Sequence, residues 1–480
     1  MAEVSLASGP RFDAGGTPDP FGGVELTARF RSPDGRTLDV RGFFDGDGEG
    51  GQAGHVWKLR VRVDEPGRWS WTTSSSEPSL DGLEGSLEVE PDTGDPAVRI
   101  DAGRPDRLYR SSGRPEFLVG DWLVTTRAGS GEVPLNHNAP SLTDADRRGL
   151  VAFHTARGLT LYSVYLQNAG DLGHRVDPFL GGARDRFDLA AWHRWEAEFR
   201  RIREAGLTLE FWLSSDLPFD LTGRQFEAFV EYAYARLGAL PALWVLGLEA
   251  DEYWSADRRA EVGRHFQAQN VFDRPVAMHF SPGRNPDRAE SWMDYVPLQH
   301  AFGAPPRGVN GAIEANGDAG KPIYASEFAH GETPDGAARR ALWAAFVSGA
   351  SLVGNGPGRT TEAANDDLAH FTAYVNGSAA PGDRPAWWRM DPADGLVAAG
   401  EAYLLREAGE RYLAYLPAGG SVALDLSGVS GELAAGWYDP RTGSVTADGG
   451  VSGGGVRSFT APDGEDWLLD LGRRSPSRVR

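Results

Sequence analysis

The chain has 480 residues, 40% of them hydrophobic, with four methionines and no cysteine. Its formal charge of −20 excludes nucleic acid or an anionic membrane as a partner, since both need clustered cations. The lack of cysteine excludes disulfides and thiolate metal sites and leaves the redox compartment open.

At this length one ordinary core does not suffice, so two or three domains are expected. Lys58 and Lys321 are the only lysines, and either GC-rich codon usage or salt adaptation gives that pattern. Fifteen tryptophans is a high count. Trp is hard to bury fully, so many are assigned to a groove or to domain contacts, and the rest to sandwich cores. The first eight residues have no basic region followed by a long apolar one. As it stands the chain therefore reads as cytoplasmic, or as secreted if a signal peptide had been removed. Nowhere do eighteen apolar residues run together.

Residues 1–98 read as an all-β sandwich. In Val56-Trp-Lys-Leu-Arg-Val-Arg-Val63 the residues Trp57, Leu59, Val61 and Val63 share one face, and Lys58, Arg60 and Arg62 the other. The loop Asp45-Gly-Asp-Gly-Glu-Gly50 begins like a calcium loop, but its twelfth position is Val56 rather than glutamate, so it reads as a solvated turn. Residues 91–96 look like a linker.

Residues 99–383 alternate strands with amphipathic helices, the mark of βα repeats. Strands are expected at 117–121, 159–166, 207–213, from Leu243, and at 275–280, 294–300, 322–327 and 351–354. Helices are expected at 141–158, 189–205, 224–237, 256–269, 336–348 and 365–375. Eight strands predict a (β/α)8 TIM barrel, α/β in class, with antiparallel β-sandwich domains on either side. An open doubly wound sheet would carry a glycine-rich phosphate loop after its first strand, and none occurs. Residues 384–480 read as a second β-sandwich.

The chemistry gathers at two strand ends. The apolar run Leu243-Trp-Val-Leu-Gly-Leu248 stops at Glu249, and Lys321-Pro-Ile-Tyr-Ala-Ser-Glu327 repeats the pattern. A charge on a buried barrel strand is costly, so a carboxylate at its mouth needs a reason. Two such glutamates facing one pocket are the minimum equipment for hydrolysing a glycosidic bond. Asp251 and Glu252 are rivals that fall further into the loop. Gly450-Val-Ser-Gly-Gly454 matches an esterase elbow by accident, since no helix follows.

Several motifs then resemble a known group. Trp244-Val-Leu-Gly-Leu-Glu249 resembles the acid/base motif of glycoside hydrolase clan A, and Tyr324-Ala-Ser-Glu327 its strand-seven nucleophile. Leu108-Tyr-Arg-Ser-Ser-Gly-Arg-Pro-Glu-Phe-Leu-Val-Gly-Asp-Trp122 is similar to the opening of apiosidase-like (family 140-like) barrels. Arg41-Gly-Phe-Phe-Asp-Gly46 and Glu65-Pro-Gly-Arg-Trp-Ser-Trp71 resemble the sandwich ahead of such barrels, and Gly436-Trp-Tyr-Asp-Pro-Arg-Thr-Gly443 their collagen-binding-like tail. One position departs: the clan's asparagine before the acid/base is Leu248 here.

The resemblance implies a retaining enzyme in which Glu327 attacks the anomeric carbon while Glu249 donates a proton and then activates water. It also makes Asp121 a ligand of sugar hydroxyls. Gln167, Asp216, His279, Gln299 and His300, at or near strand ends, are candidate hydrogen-bonders, and Trp122, Trp212, Trp254 and Trp292 candidate stacking platforms. No cofactor or metal is called for. The expected partner is a carbohydrate, with the oligomeric state open. The aromatic supply favours endo-action on a polysaccharide. The alternatives are an exo-acting apiosidase-like glycosidase and a catalytically inactive carbohydrate-binding barrel.

Overall fold

A computed structural model describes residues 1–473 except 64, 92–96, 112–114, 122–136, 141, 169–175, 215–220, 284, 301–304, 328–332, 356–361 and 378–384. Its centre is an eight-stranded sheet of parallel neighbours. In chain order the strands are Leu118–Asp121, Leu161–Tyr165, Thr208–Trp212, Ala242–Val245, Val276–Ala277, Val296–Gln299, Ile323–Glu327 and Leu352–Asn355, called strands one to eight below. Strand one pairs with strand eight, so the sheet curls into the expected TIM-type barrel.

The seam lies between strands five and six, which are not paired as a ladder. Asp294 spans it: its N–H donates to the Val276 carbonyl at 2.8 Å, and its carboxylate accepts the Val276 N–H at 3.0 Å. Burial pushes this carboxyl up to about 6. A folded-state pKa above the unfolded value contributes stability that is full in acid and lost as pH rises through about 6. Asp294→Asn keeps an acceptor without the charge. Melts from pH 4 to 8 are therefore expected to show the variant matching wild type in acid and exceeding it above neutral pH.

The helices Asp144–Ala156, Leu189–Glu204, Gly223–Leu237, Ala256–Gln269, Asp335–Val347 and Glu362–Asn376 fall within a few residues of expectation. Their starts follow local chemistry. Thr143 and Thr222 each form a reciprocal capping box, and Asp188 and Ser255 accept backbone N–H groups as N-caps. A seventh helix, Pro306–Asn316 between strands six and seven, was not anticipated. Gly308, Asn310 and Gly311 blur its period, although Pro306 at its first turn was a usable start signal. No helix among the described residues is long and apolar enough to cross a membrane.

Ahead of the barrel, two antiparallel sheets form the first sandwich, and a small three-stranded sheet spanning 97–116 leads into strand one. Behind it, a six-stranded and a three-stranded sheet form the second. Trp57, Leu59 and Val61 point into the first core as expected. Their opposite face is not solvent, because Arg60 bonds Glu196 and the Arg236 carbonyl of two barrel helices there and Lys58 pairs with Asp45. The Asp45 loop also needs correction. Asp45 is fully buried, receiving Lys58 Nζ at 2.8 Å, His193 Nε2 at 2.9 Å and Arg236 Nη1 at 2.7 Å. It is a domain anchor rather than a solvated turn residue.

The tryptophans are mainly core as well. Eleven of the fourteen described ones are buried, which removes the expected aromatic groove. Trp387, for example, packs edge-on against Phe117 at 4.8 Å in the cluster that joins barrel helices to the second sandwich.

Candidate active site

Glu249 lies four residues beyond strand four, but sheet-like bonding continues up to it. Leu246 donates to the Ala277 carbonyl at 2.9 Å, His279 to Gly247 at 3.0 Å and Ala250 to His279 at 3.0 Å. A Cβ at Gly247 would stand 2.9 Å from the Tyr253 hydroxyl, which would have to shift to admit it. At Glu249 the backbone turns left-handed, φ 48° and ψ 43°, a region few residues with a Cβ adopt. Such strain persists where surrounding contacts impose it and collects at functional sites. The Glu249 side chain is half-buried, and its N–H donates to His279 Nδ1 at 3.4 Å. Asp251 and Glu252 are exposed in the following turn and bond Ser281, at 2.9 and 3.0 Å.

Glu327 reaches the same mouth of the barrel through a different device. Along strand seven, Tyr324 faces the barrel interior and bonds Glu210, while Ala325 packs among the residues under the outer helices. Strict alternation would then send Ser326 inward and Glu327 outward. The pairing with strand six instead slips, from Leu298 opposite Ala325 to Gln299 opposite Glu327. A β-bulge of this kind re-aims the residue that follows it. Glu327 is accordingly buried, and its charge acts on the interior Tyr324 phenol.

Around these two glutamates, buried polar atoms lack hydrogen-bond partners among the described residues. They are both amide atoms of Gln167, Ser214 Oγ, His279 Nε2, Gln299 Oε1 and His300 Nε2. All follow or end strands two, three, five and six on the face that carries the glutamates. A buried polar group left unpaired costs about 1–3 kcal/mol, so five such residues on one rim point to a ligand that pairs them. Burial pushes the imidazoles of His279 and His300 down to about 3 and about 4, which keeps both neutral. Because His279 Nδ1 accepts the Glu249 N–H, its proton sits on Nε2, a donor aimed at no described protein atom.

Gln167, His279, Gln299 and His300 thus stand on the rim where the sequence put them, and Asp121 ends strand one opposite Asn355. Trp122 and Asp216 lie outside the described residues. Two stacking candidates are corrected. Trp212 is fully buried and donates its Nε1 to Glu210 at 2.8 Å. Trp292 packs outside the barrel against Gly263, where an added Cβ would come within 2.1 Å of its ring. Trp254 is half-buried and meets Phe226 edge-on at 5.0 Å.

Sequence reasoning missed two residues. Ser214 follows strand three, and its carbonyl accepts the Leu248 N–H at 3.3 Å. Glu210 lies fully buried within strand three, accepting from Ser163 Oγ at 2.6 Å and, more distantly, from the Tyr324 hydroxyl at 3.4 Å. A lone glutamate inside the apolar run 207–213 was the available signal.

The fold and rim define a (β/α)8 barrel with two strand-end glutamates among unsatisfied polar groups. Over 98% of both chains, with a TM-score of 0.78 and 15% identity, it is similar to a "putative glycoside hydrolase" from Bacteroides vulgatus ATCC 8482. A glycoside hydrolase family 5 structure from the same organism matches at 14% identity and a TM-score of 0.63, over 80% of this chain and 94% of that one. Another structure named "Glycoside hydrolase" matches at 15% and 0.63, over 80% and 98%. Residues 3–76 match the family "Domain of unknown function (DUF5060)", and residues 394–471 the "Putative collagen-binding domain of a collagenase". No curated protein matches the sequence.

Proposed function

We propose that the chain is a retaining glycoside hydrolase that cleaves β-glycosidic bonds, with Glu327 as nucleophile and Glu249 as acid/base. The observation that carries this reading is the rim itself: two strand-end glutamates, one at a left-handed backbone position and one after a β-bulge, among five residues with orphaned polar atoms. In such a mechanism Glu327 attacks the anomeric carbon while Glu249 protonates the leaving oxygen. Glu249 then takes a proton from the water that releases the sugar. Carboxyl groups about 5–5.5 Å apart allow this, whereas an inverting pair needs about 6.5–9.5 Å.

The likeness to glycoside hydrolases supports the class through fold alone. Leu248 is buried and offers no amide to a sugar 2-hydroxyl. Ser214 supplies the nearest orphaned hydroxyl, 3.6 Å from where a Cβ on Gly247 would stand. Gln167, Gln299 and the neutral histidines would hold further sugar hydroxyls. The substrate proposed is a polysaccharide cleaved within the chain.

The test is incubation of the full chain with plant, algal and bacterial β-glycans and with p-nitrophenyl β-glycosides, following reducing ends, product length and product anomer. Retained β-anomers are expected. A ladder of oligosaccharides marks endo-action and monosaccharide release exo-action. Inverted products, or no cleavage of any substrate, would sink the reading.

A further inference from the structure

Glu210 is the buried carboxyl for which the proposed reaction has no direct use. It sits in the barrel interior, a layer that branched apolar side chains ordinarily fill. A carboxyl there is costly to desolvate, and well-packed apolar residues would hold the fold as well or better. Folding alone therefore gives no reason for this residue.

Its contacts supply one. Oε2 accepts from Ser163 on strand two, Trp212 on strand three and Tyr324 on strand seven. On one side the Trp212 ring lies 5.5 Å from the His279 ring, whose Nδ1 receives the Glu249 N–H. On the other, Tyr324 stands three residues before Glu327, and its phenol senses the charges of both Glu210 and Glu327. One side chain thus ties together the supports of two glutamates that different strands deliver. Resting on the glycosidase reading, we propose that Glu210 is a positioning residue for both candidate catalytic carboxylates, holding Trp212 beneath His279 and Glu249 and Tyr324 beneath Glu327.

The protonation pattern agrees. Three donors converge on Oε2, and the Tyr295 hydroxyl is a further side-chain hydrogen-bond partner of Glu210. Burial pushes Glu210 up to about 7, so it is neutral in mild acid. Above that pH it places a second negative charge beside Tyr324 and Glu327. Glutamine copies the neutral acid, with its oxygen at Oε2 and its NH2 at Oε1.

The test combines kinetics on the p-nitrophenyl β-glycoside that wild type cleaves best with crystal structures of wild type, Glu210→Ala, Glu210→Gln and Tyr324→Phe. Tyr324→Phe deletes a single hydroxyl and stands in if Glu210→Ala does not fold. Expected for Glu210→Ala is a roughly 10- to 100-fold fall in kcat with KM within about twofold, the scale of a misplacement near 1 Å. Glu210→Gln is expected to retain kcat within about threefold at pH 6. In the crystals the Glu249 and Glu327 carboxyls should shift by more than about 0.5 Å in Glu210→Ala, Glu327 alone in Tyr324→Phe, and neither in Glu210→Gln. Carboxyls unmoved in Glu210→Ala, or in Tyr324→Phe where it stands in, overturn the proposal, as does a Glu210→Gln variant that loses as much kcat as Glu210→Ala. A wild type silent on every glycoside sinks the glycosidase reading instead, and the crystallographic comparison still decides the positioning.

Discussion

Glu327→Ala is expected to lower kcat on β-glycosides by on the order of 10⁴-fold or more, as loss of a nucleophile does elsewhere. Glu249→Ala is expected to cost about 10²–10⁴-fold on substrates with poor leaving groups, the usual reach of acid–base assistance. It should cost far less on dinitrophenyl glycosides, whose leaving group departs without a proton. Added azide separates the roles further. In the Glu327 variant azide attacks the face the carboxylate vacated and yields an α-glycosyl azide. In the Glu249 variant it opens the glycosyl-enzyme and yields a β-glycosyl azide. The same azide anomer from both variants, or turnover surviving Glu327→Ala, would refute the assignment.

Glu249 allows a second readout because its backbone is left-handed. Asparagine adopts that region more readily than glutamate, and a non-glycine residue held there costs on the order of 1 kcal/mol or more. Glu249→Asn should therefore lose activity while matching wild type in denaturant stability or exceeding it by up to about 1 kcal/mol. A stability loss above that size would mean that the Glu249 side chain holds the fold rather than reacts.

How these residues can be found from sequence depends on how local their cause is. The barrel was legible because each strand is a short apolar run and four of its helices begin at side-chain caps. Glu249 and Glu327 were legible because a charge ending such a run is conspicuous. The bulge that turns Glu327 inward was not, since it is a slip in register against strand six, set by residues a helix away. The orphaned atoms were half legible: Gln167, His279, Gln299 and His300 stood at strand ends, but serine at 214 is too common to single out. Glu210 was passed over although a buried charge in a strand demands a reason. The tryptophans misled because their number says nothing about location. Trp212 and Trp292 are core residues despite flanking the mouth in sequence.

Arg236→Met is expected to destabilise the protein by about 3–5 kcal/mol, the scale of removing one partner from a buried ion pair. Arg236 ends the helix Gly223–Leu237 and has no solvent exposure. Its Nη1 donates to Asp45 at 2.7 Å and its Nε to Glu196 at 2.6 Å, while Arg60 adds a bond to Glu196 at 2.8 Å. Methionine would fill the volume and leave two buried carboxylates short of a cation. Burial alone would raise both acids, but the cations around them win. Arg236 and Arg60 hold Glu196 down at about 2, and His193, Arg236 and Lys58 hold Asp45 far below the ordinary carboxylate range.

A depressed folded-state pKa contributes stability that is present above the unfolded value, near 4, and lost as pH falls through the folded one. The Arg236→Met penalty should therefore be largest at neutral pH and shrink steadily from pH 5 toward pH 2, because the variant's carboxylates protonate early. Urea titrations at pH 7, 5 and 3 measure it, and a penalty below 1 kcal/mol at pH 7, or one that grows in acid, would contradict the account. The network joins the first sandwich, through Asp45, Lys58 and Arg60, to the helices Leu189–Glu204 and Gly223–Leu237. The second of these helices leads directly into strand four. Calorimetry should accordingly show the sandwich of Arg236→Met melting ahead of the barrel, and activity falling with that first transition, because the helix it releases is the one that carries the chain to Glu249.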